Sequence, residues 1–300
     1  MRRSDVHRAL TPLTVRGTTF VWGARTYVMG IVNATPDSFS GDGIARDAAA
    51  AVRLAESFVA AGVDMIDIGG ESTRPGHEPV GEDEEAARVL PAIEAIRRKV
   101  DVPISIDTFK PAIAKRALEL GADIVNCVWG AMPGIVAAAA RAQAPLIVMH
   151  NRAAADYAGD VVVEVIESLA HSVAEAIAAG VAPERVIVDP GIGFGKTAEH
   201  NVEILRRLDE FVEVLPFPLL IGTSRKSFIG KITGQPVERR EFGTAASVAI
   251  AIAQGADIVR VHDVEDMMAV VRVADALSRD THPESDIISR TRSQTSESNR

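Results

Sequence analysis

The stretch Gly62-Val-Asp-Met-Ile-Asp67 returns as Gly121-Ala-Asp-Ile-Val-Asn126 and again as Gly255-Ala-Asp-Ile-Val-Arg260. In each copy the glycine reads as the end of a helix, where it takes the left-handed turn without the penalty a Cβ would bring. An apolar pair then enters a sheet. Side chains alternate along a strand, so Asp67, Asn126 and Arg260 occupy equivalent places, each polar where packing alone would select Val.

The same grammar extends in both directions along the chain. Short apolar runs bounded by Gly, Pro, Asp or Asn read as buried strands: YVMGIV from Tyr27, MIDIGG from Met65, PISID from Pro103, DIVNCV from Asp123, PLIVMH from Pro145, RVIVD from Arg185, PLLIGT from Pro218 and DIVRVH from Asp257. Segments such as AAAVRLAESFVAAG, EEAARVLPAIEAIRRK and FGTAASVAIAIAQG, with apolar residues three and four apart, read as the helices between them. Strands alternating with crossover helices make a parallel sheet. Eight such units in about 250 residues predict an α/β fold, a closed TIM (β/α)8 barrel, over a doubly wound open sheet. TTFVWGAR, from Thr18, adds a short N-terminal hairpin extension. The expected organisation is a flexible N-terminus at 1–12, a single barrel domain over 13–278, and a disordered tail at 279–300, where Ser, Thr, Asp, Glu and Arg leave little to bury.

Composition narrows the partners. A formal net charge of -9 opposes a phosphate backbone, so nucleic acid is not expected. Cys127 is the single cysteine, which excludes an internal disulfide and a thiolate zinc cluster and fits a reducing cytoplasm. The N-terminal MRRSDVHRALTP has no apolar core of a secretory signal, and no run is long enough to span a bilayer, so no membrane partner is expected.

Barrel enzymes carry their chemistry on the rim at the strand C-termini. The polar residues there are Asn33, Glu71 to Arg74, Asp107, Asn126, His150, Asp189, Ser224 to Ser227, Arg260 and His262. Any one of them alone reads as a cap or a turn residue. As a set they sort by charge: Asp107, Asn126 and Asp189 offer acceptors to a flat heterocycle bearing N–H donors, while Arg74, Lys226, Arg260 and His262 suit an anion such as phosphate.

Three decoys fall away. DPGIGFGKT, Asp189 to Thr197, has the composition of a phosphate-binding nucleotide loop, but Gly191 stands one residue too close to the Gly-Lys-Thr and Pro190 has no N–H to donate. The scattered histidines His77, His150 and His262 show no zinc-site spacing. Ser224 and Ser227 lack the GxSxG elbow of a serine hydrolase.

Six motifs, in order, resemble the dihydropteroate synthase family of pterin-binding enzymes: MGIVNATPDSFS from Met29, DIGGESTRPG from Asp67, SIDT from Ser105, DPGIGFGK from Asp189, GTSRKS from Gly222 and RVHD from Arg260. The resemblance covers roughly Thr11 to Leu277. It implies a transferase that condenses 6-hydroxymethyl-dihydropterin diphosphate with p-aminobenzoate, releasing diphosphate and forming dihydropteroate, and it implies a homodimer. By the same resemblance Asp107, Asn126 and Asp189 hold the pterin edge, Lys226 binds its carbonyl side and Met149 packs on the ring. Asn33 helps to place a Mg²⁺ on the diphosphate, which Thr73, Arg74, Arg260 and His262 contact; Phe194, Pro75 and Ser227 shape the p-aminobenzoate pocket. Asp107, Lys226 and Arg260 are the expected catalytic residues.

The chain departs from that family at two places. Cys127 follows Asn126 where the family usually has Asp, and alternation turns Cys127 outward if Asn126 faces the barrel mouth. The first loop reads FSGDG from Phe39, which shifts its acid to Asp42 and leaves Asp37 and Asp42 as alternatives. Two rival readings stand beside the synthase: a methyltetrahydrofolate-binding methyltransferase barrel, against which the SRKS and STRPG segments argue, and a catalytically silent relative, which only the two departures favour.

Overall fold

The structure is a computed structural model that describes residues 10–34, 44–71 and 80–279, with backbone alone at 44–47. Thr73, Arg74, Pro75, the loop acids Asp37 and Asp42, and most of the expected N-terminal and C-terminal extensions lie outside the described residues.

The chain begins with an antiparallel hairpin, β1 (Leu13–Val15) and β2 (Thr18–Phe20), in which Leu13 pairs with Phe20. Parallel strands and helices then alternate: β3 (Tyr27–Asn33), α1 (Ile44–Ala61), β4 (Met65–Gly69), α2 (Glu82–Arg97), β5 (Ile104–Asp107), α3 (Pro111–Glu119), β6 (Ile124–Cys127) and α4 (Pro133–Ala142). There follow β7 (Leu146–Met149), α5 (Val161–Ala178), β8 (Val186–Asp189), α6 (Ala198–Arg206), α7 (Leu208–Val214), β9 (Leu220–Ile221), α8 (Ser227–Thr233), α9 (Glu241–Ala253), β10 (Ile258–Val261) and α10 (Val264–Ser278).

The eight parallel strands run β8-β7-β6-β5-β4-β3-β10-β9, and a parallel bridge from Val188 to Leu219 joins the two ends into a ring. This is the TIM (β/α)8 barrel with a hairpin extension. Each expected strand is present, and β9 is the shortest at 2 residues. Pro218, just before it, lends its carbonyl to Val188 N at 2.9 Å but has no N–H to return.

Alternation splits the strand side chains into two cores. Val28, Ile66, Ile104, Val125, Val148, Val188 and Val259 face outward and pack with the helices. Cys127 belongs to this outer layer and is fully buried there, as alternation from Asn126 requires. Met29, Met65, Ile124, Ile147, Ile187, Leu220 and Ile258 face inward and close the base of the barrel together with Leu13, Val15, Phe20 and Trp22 of the hairpin region. Phe20 stacks on Trp22 at 5.6 Å and meets Tyr27 edge-on at 4.9 Å, so the hairpin acts as an aromatic plug.

The repeat that opens the sequence is a structural unit. Gly62, Gly121 and Gly255 take φ of +94°, +110° and +99° as each helix gives way to its strand. The aspartate two residues on reaches sideways to the neighbouring strand. Asp64 accepts from Val28 N at 2.7 Å, Asp123 from Ile104 N at 2.9 Å and Asp257 from Leu219 N at 2.9 Å. Each carboxylate thus satisfies a backbone donor at a strand entry that no ladder partner would reach.

Candidate active site

The upper ends of the strands carry a cluster built from the same alternation. Asp67 (β4), Asp107 (β5), Asn126 (β6), Met149 (β7), Asp189 (β8) and Arg260 (β10) share the inward face, and strand register sets Asp107 beside Asn126 and Met149 beside Asp189. A cavity at the barrel mouth is lined by Asp107, Asn126, Met149, Asp189, Lys226 and Arg260, with Phe194 at its edge.

Arg260 organises the acidic side. Its Nε donates to Asp67 Oδ2 at 2.6 Å and its Nη2 to Asp107 Oδ2 at 2.9 Å. Burial works against the guanidinium charge, but the two flanking carboxylates outweigh it and hold the Arg260 pKa above its ordinary value. The second oxygen of Asp107, Oδ1, is buried without a protein partner, as is Oδ1 of Asp67. A buried acceptor left unpaired costs about 1–3 kcal/mol, so Asp107 Oδ1 at the cavity wall is poised for a ligand donor. Burial pushes the Asp107 carboxyl up to about 7, with Arg260 and Lys226 pulling it back and Asp67 and Glu85 adding to the rise.

Asn126 donates its Nδ2 to Asp67 Oδ2 at 3.2 Å, which fixes the amide so that Oδ1 is the end left for a ligand. Asp189 accepts from Gly191 N at 2.7 Å through Oδ1, and its main-chain oxygen is held by His150 N at 2.9 Å. Burial raises the Asp189 pKa, and the Gly191 N–H, Lys226 and Arg260 oppose that rise. Met149 is buried at the end of β7 and supplies an apolar wall. Three acceptors against one apolar flank is the arrangement a flat ring with N–H donors needs.

On the opposite side Lys226 caps α8, its Nζ 3.8 Å from the centre of the Phe194 ring. Phe194 sits in the glycine-rich turn after β8. A Cβ on Gly191 would lie 1.9 Å from the His150 carbonyl oxygen, and φ there is +70°, so only glycine lets this turn fold against β7. His262 donates its backbone N to Ser224 Oγ at 3.2 Å, and its Nδ1 lies 2.9 Å from the same oxygen. Ser227 is exposed at the start of α8. Arg225 holds a left-handed φ of +57° under a bond from its N to Thr244 Oγ1 and an ion pair with Asp263, which fixes the direction in which Lys226 leaves the backbone.

The structure corrects the expectation of Mg²⁺ and of Asn33 as its ligand. Among the described residues no group of three or more His, Cys, Asp or Glu is placed to hold a metal ion. Asn33 brings one neutral amide to the end of β3, and the carboxylates nearest the mouth are turned to Arg260, whereas a hard cation requires several converging oxygens.

Sequence reasoning placed Asp67 in the repeat but not in the site. Its polarity at an inward strand position was the available signal. What it touches, Arg260 and Asn126, is set by neighbours 193 and 59 residues away along the chain.

A family model described as pterin binding enzyme matches residues 29–262. The chain belongs to the pterin-binding enzyme family. A dihydropteroate synthase of Synechocystis sp. is 51% identical over 278 residues, covering 89% of this chain and 96% of the relative. Among solved structures, a Clostridium difficile dihydropteroate synthase crystallised in the presence of pteroic acid superposes with a TM-score of 0.84 at 44% identity, covering 87% of this chain and 99% of the other. A Xanthomonas albilineans dihydropteroate synthase with 4-aminobenzoic acid superposes with a TM-score of 0.83 at 40% identity, covering 89% and 97% of the two chains. Among the described residues of this pterin-binding chain, no helix is long and apolar enough to cross a membrane.

Proposed function

We infer that this chain is a dihydropteroate synthase: it joins the methylene carbon of 6-hydroxymethyl-7,8-dihydropterin diphosphate to the amino nitrogen of p-aminobenzoate, with diphosphate leaving. The observation that carries the reading is the open acceptor edge formed by Asp107 Oδ1, Asn126 Oδ1 and Asp189 across from Lys226 and Phe194. A methyltransferase barrel would also carry an acidic pterin edge, but the relatives named above are synthases along their whole length.

The acidic edge takes the pterin N–H donors, Met149 packs on the ring face, and Lys226 takes the ring carbonyl and nitrogen side. Breaking the carbon–oxygen bond sends an electron pair to diphosphate and leaves a cation conjugated into the dihydropterin ring. Asp107, buried and adjacent, offsets that cation, and fixed charges in a water-poor site are worth more than the same charges in solvent. Arg260 holds Asp107 in place by its ion pair and presents positive charge near the departing group, which His262 contacts as a hydrogen-bonding partner. The aniline nitrogen then attacks the methylene, a carbon–nitrogen bond forms, and the nitrogen gives up one proton to solvent. The nucleophile is a neutral amine, so catalysis is chiefly positioning and electrostatics. Phe194 and Ser227 border the p-aminobenzoate; the family resemblance assigns Pro75 to the same substrate and Thr73 and Arg74 to the diphosphate.

The proposed catalytic domain spans 13–278 and works in a reducing cytoplasm as a homodimer. The exposed apolar side chains Ile232, Phe242, Ile250, Val273 and Leu277, on α8, α9 and α10, support a self-association face. The deciding assay is diphosphate release that requires both the pterin diphosphate and p-aminobenzoate and is competed by a sulfonamide. Release independent of p-aminobenzoate, or its absence with both substrates present, overturns the reading.

A further inference from the structure

Lys196, the lysine that gives DPGIGFGKT its likeness to a nucleotide loop, does not point at the cavity. Its ammonium turns back into its own loop. Nζ lies 2.8 Å from His150 Nδ1, 3.0 Å from the Gly191 carbonyl oxygen and 3.0 Å from the Phe194 carbonyl oxygen. In the ammonium form, and with His150 in the tautomer that leaves Nδ1 unprotonated, its three hydrogens meet three acceptors. Two acceptors belong to the turn itself and the third stands at the end of β7.

The rest of the turn is tied as closely. Gly193 N donates to Asn201 Oδ1 at 2.6 Å, and the Gly195 carbonyl accepts from the Tyr157 hydroxyl at 3.1 Å. Tyr157 in turn packs edge-on against His200 at 4.8 Å, and Arg152 lies 4.4 Å over its ring. The turn presents Ile192 and Phe194 to the cavity, and Lys226 rests against the Phe194 ring. A Cβ on Gly193 would come within 2.8 Å of Lys226 Cδ, so the backbone of the turn also touches the stem of that lysine.

We propose that Lys196 is a positioning residue for the arylamine subsite: by gathering the Gly191 and Phe194 carbonyls and His150 around its ammonium, it sets Phe194 against Lys226 without touching the reacting atoms. The proposal rests on the synthase reading, in which Phe194 borders the p-aminobenzoate. Of the pterin edge, only Asp189 lies close enough to feel the charge of this lysine. Asp107, Asn126 and Asp189 all stand on strands of the barrel, and Asp189 accepts from Gly191 N through its carboxylate and from His150 N through its main-chain oxygen, donors that belong to the backbone and remain when the lysine side chain is replaced. A side chain of similar length without donors leaves two loop carbonyls and an imidazole nitrogen unpaired, and the turn then loses its single conformation.

The test is steady-state kinetics with each substrate varied in turn, on the full chain and on Lys196→Met and His150→Phe. Lys196→Met is expected to raise KM for p-aminobenzoate by about tenfold, while KM for the pterin diphosphate and kcat at saturation stay within about threefold. His150→Phe removes one of the three acceptors and shifts KM in the same direction by less, which preserves the test if Lys196→Met does not fold. Equal changes in both KM values, an unchanged KM for p-aminobenzoate, or a fall in kcat alone overturns the proposal. Amide hydrogen exchange over 191–195 supplies a readout that needs no turnover: exchange is expected to quicken there in both variants while the strands keep their protection, and an unchanged rate also overturns it. An unmodified chain without p-aminobenzoate-dependent release defeats the synthase reading, and the exchange measurement still judges the role of Lys196 in the turn.

Discussion

The base and the mouth of this barrel are built from the same strands and differ by two residues. Met65, Ile124, Ile187 and Ile258 close the base; Asp67, Asn126, Asp189 and Arg260, two positions further along, line the mouth. The base is held by apolar burial under the Phe20, Trp22 and Tyr27 plug, and each such aliphatic side chain contributes on the order of 2 kcal/mol. The mouth does the opposite. It collects carboxylates around one guanidinium and leaves Asp67 Oδ1 and Asp107 Oδ1 buried without partners. Stability is concentrated where the chain has no chemistry to perform, which allows the mouth to keep charges that packing would reject.

The sharpest way to break this comparison is to remove charge from the mouth. Asp107→Asn or Lys226→Ala is expected to lower turnover by about 10²–10³-fold or more, because each removes a fixed charge aimed at the reacting ring. The thermal midpoint should stay close to that of the unmodified chain. Assays of initial rate beside circular-dichroism melts decide it: near-full activity in either variant would mean that the residue has the wrong role.

The repeat lets the comparison be made within six residues. Its first aspartate serves the fold and its last residue serves the site: Asp257 clamps Leu219 N, and Arg260 pairs with Asp67 and Asp107. Asp257→Asn replaces a carboxylate acceptor on a buried backbone N–H, and the expected cost is about 1–3 kcal/mol of stability with activity per folded molecule unchanged. Urea titration gives the first quantity and active-site titration with the product the second. If activity falls in step with stability, the division of labour along the repeat does not hold.

The sequence carried the barrel because alternation and helix period are local properties, and eight apolar runs separated by helices admit few other closed sheets. Asp107, Asn126 and Asp189 were legible as a group for the same reason, since all lie at predictable strand ends, whereas Met149 came only from the family resemblance. What was not legible depends on contacts between distant segments. The strand-entry role of Asp64, Asp123 and Asp257 needs the neighbouring strand, 36, 19 and 38 residues away. The pairing of Arg260 with the acidic side, rather than with an anion alone, needs Asp67 across the barrel. Metal binding was read from resemblance, and among the described residues no group of three or more His, Cys, Asp or Glu is placed to provide it.

The smallest effect is also the most specific, because it asks whether the mouth behaves as one charged unit. Burial, together with Asp67 and Glu85, raises the Asp107 carboxyl to about 7 against the pull of Arg260 and Lys226. A carboxyl raised in this way keeps its proton in the folded chain to a higher pH than in the unfolded one. Its contribution to stability is therefore present at acid pH and lost as pH rises through about 7. Activity has the opposite sign, since the carboxylate is the form that offsets the pterin cation, so kcat/KM for the pterin diphosphate should fall as pH drops below about 7. Asp67→Asn removes one of the charges that raise this group and leaves Arg260 more fully to Asp107, so the acid limb should move to lower pH. Titration of the substrate itself is common to both chains and cancels in the comparison. An acid limb that stays in place in Asp67→Asn would assign it to a group other than Asp107 and would divide the mouth into independent sites.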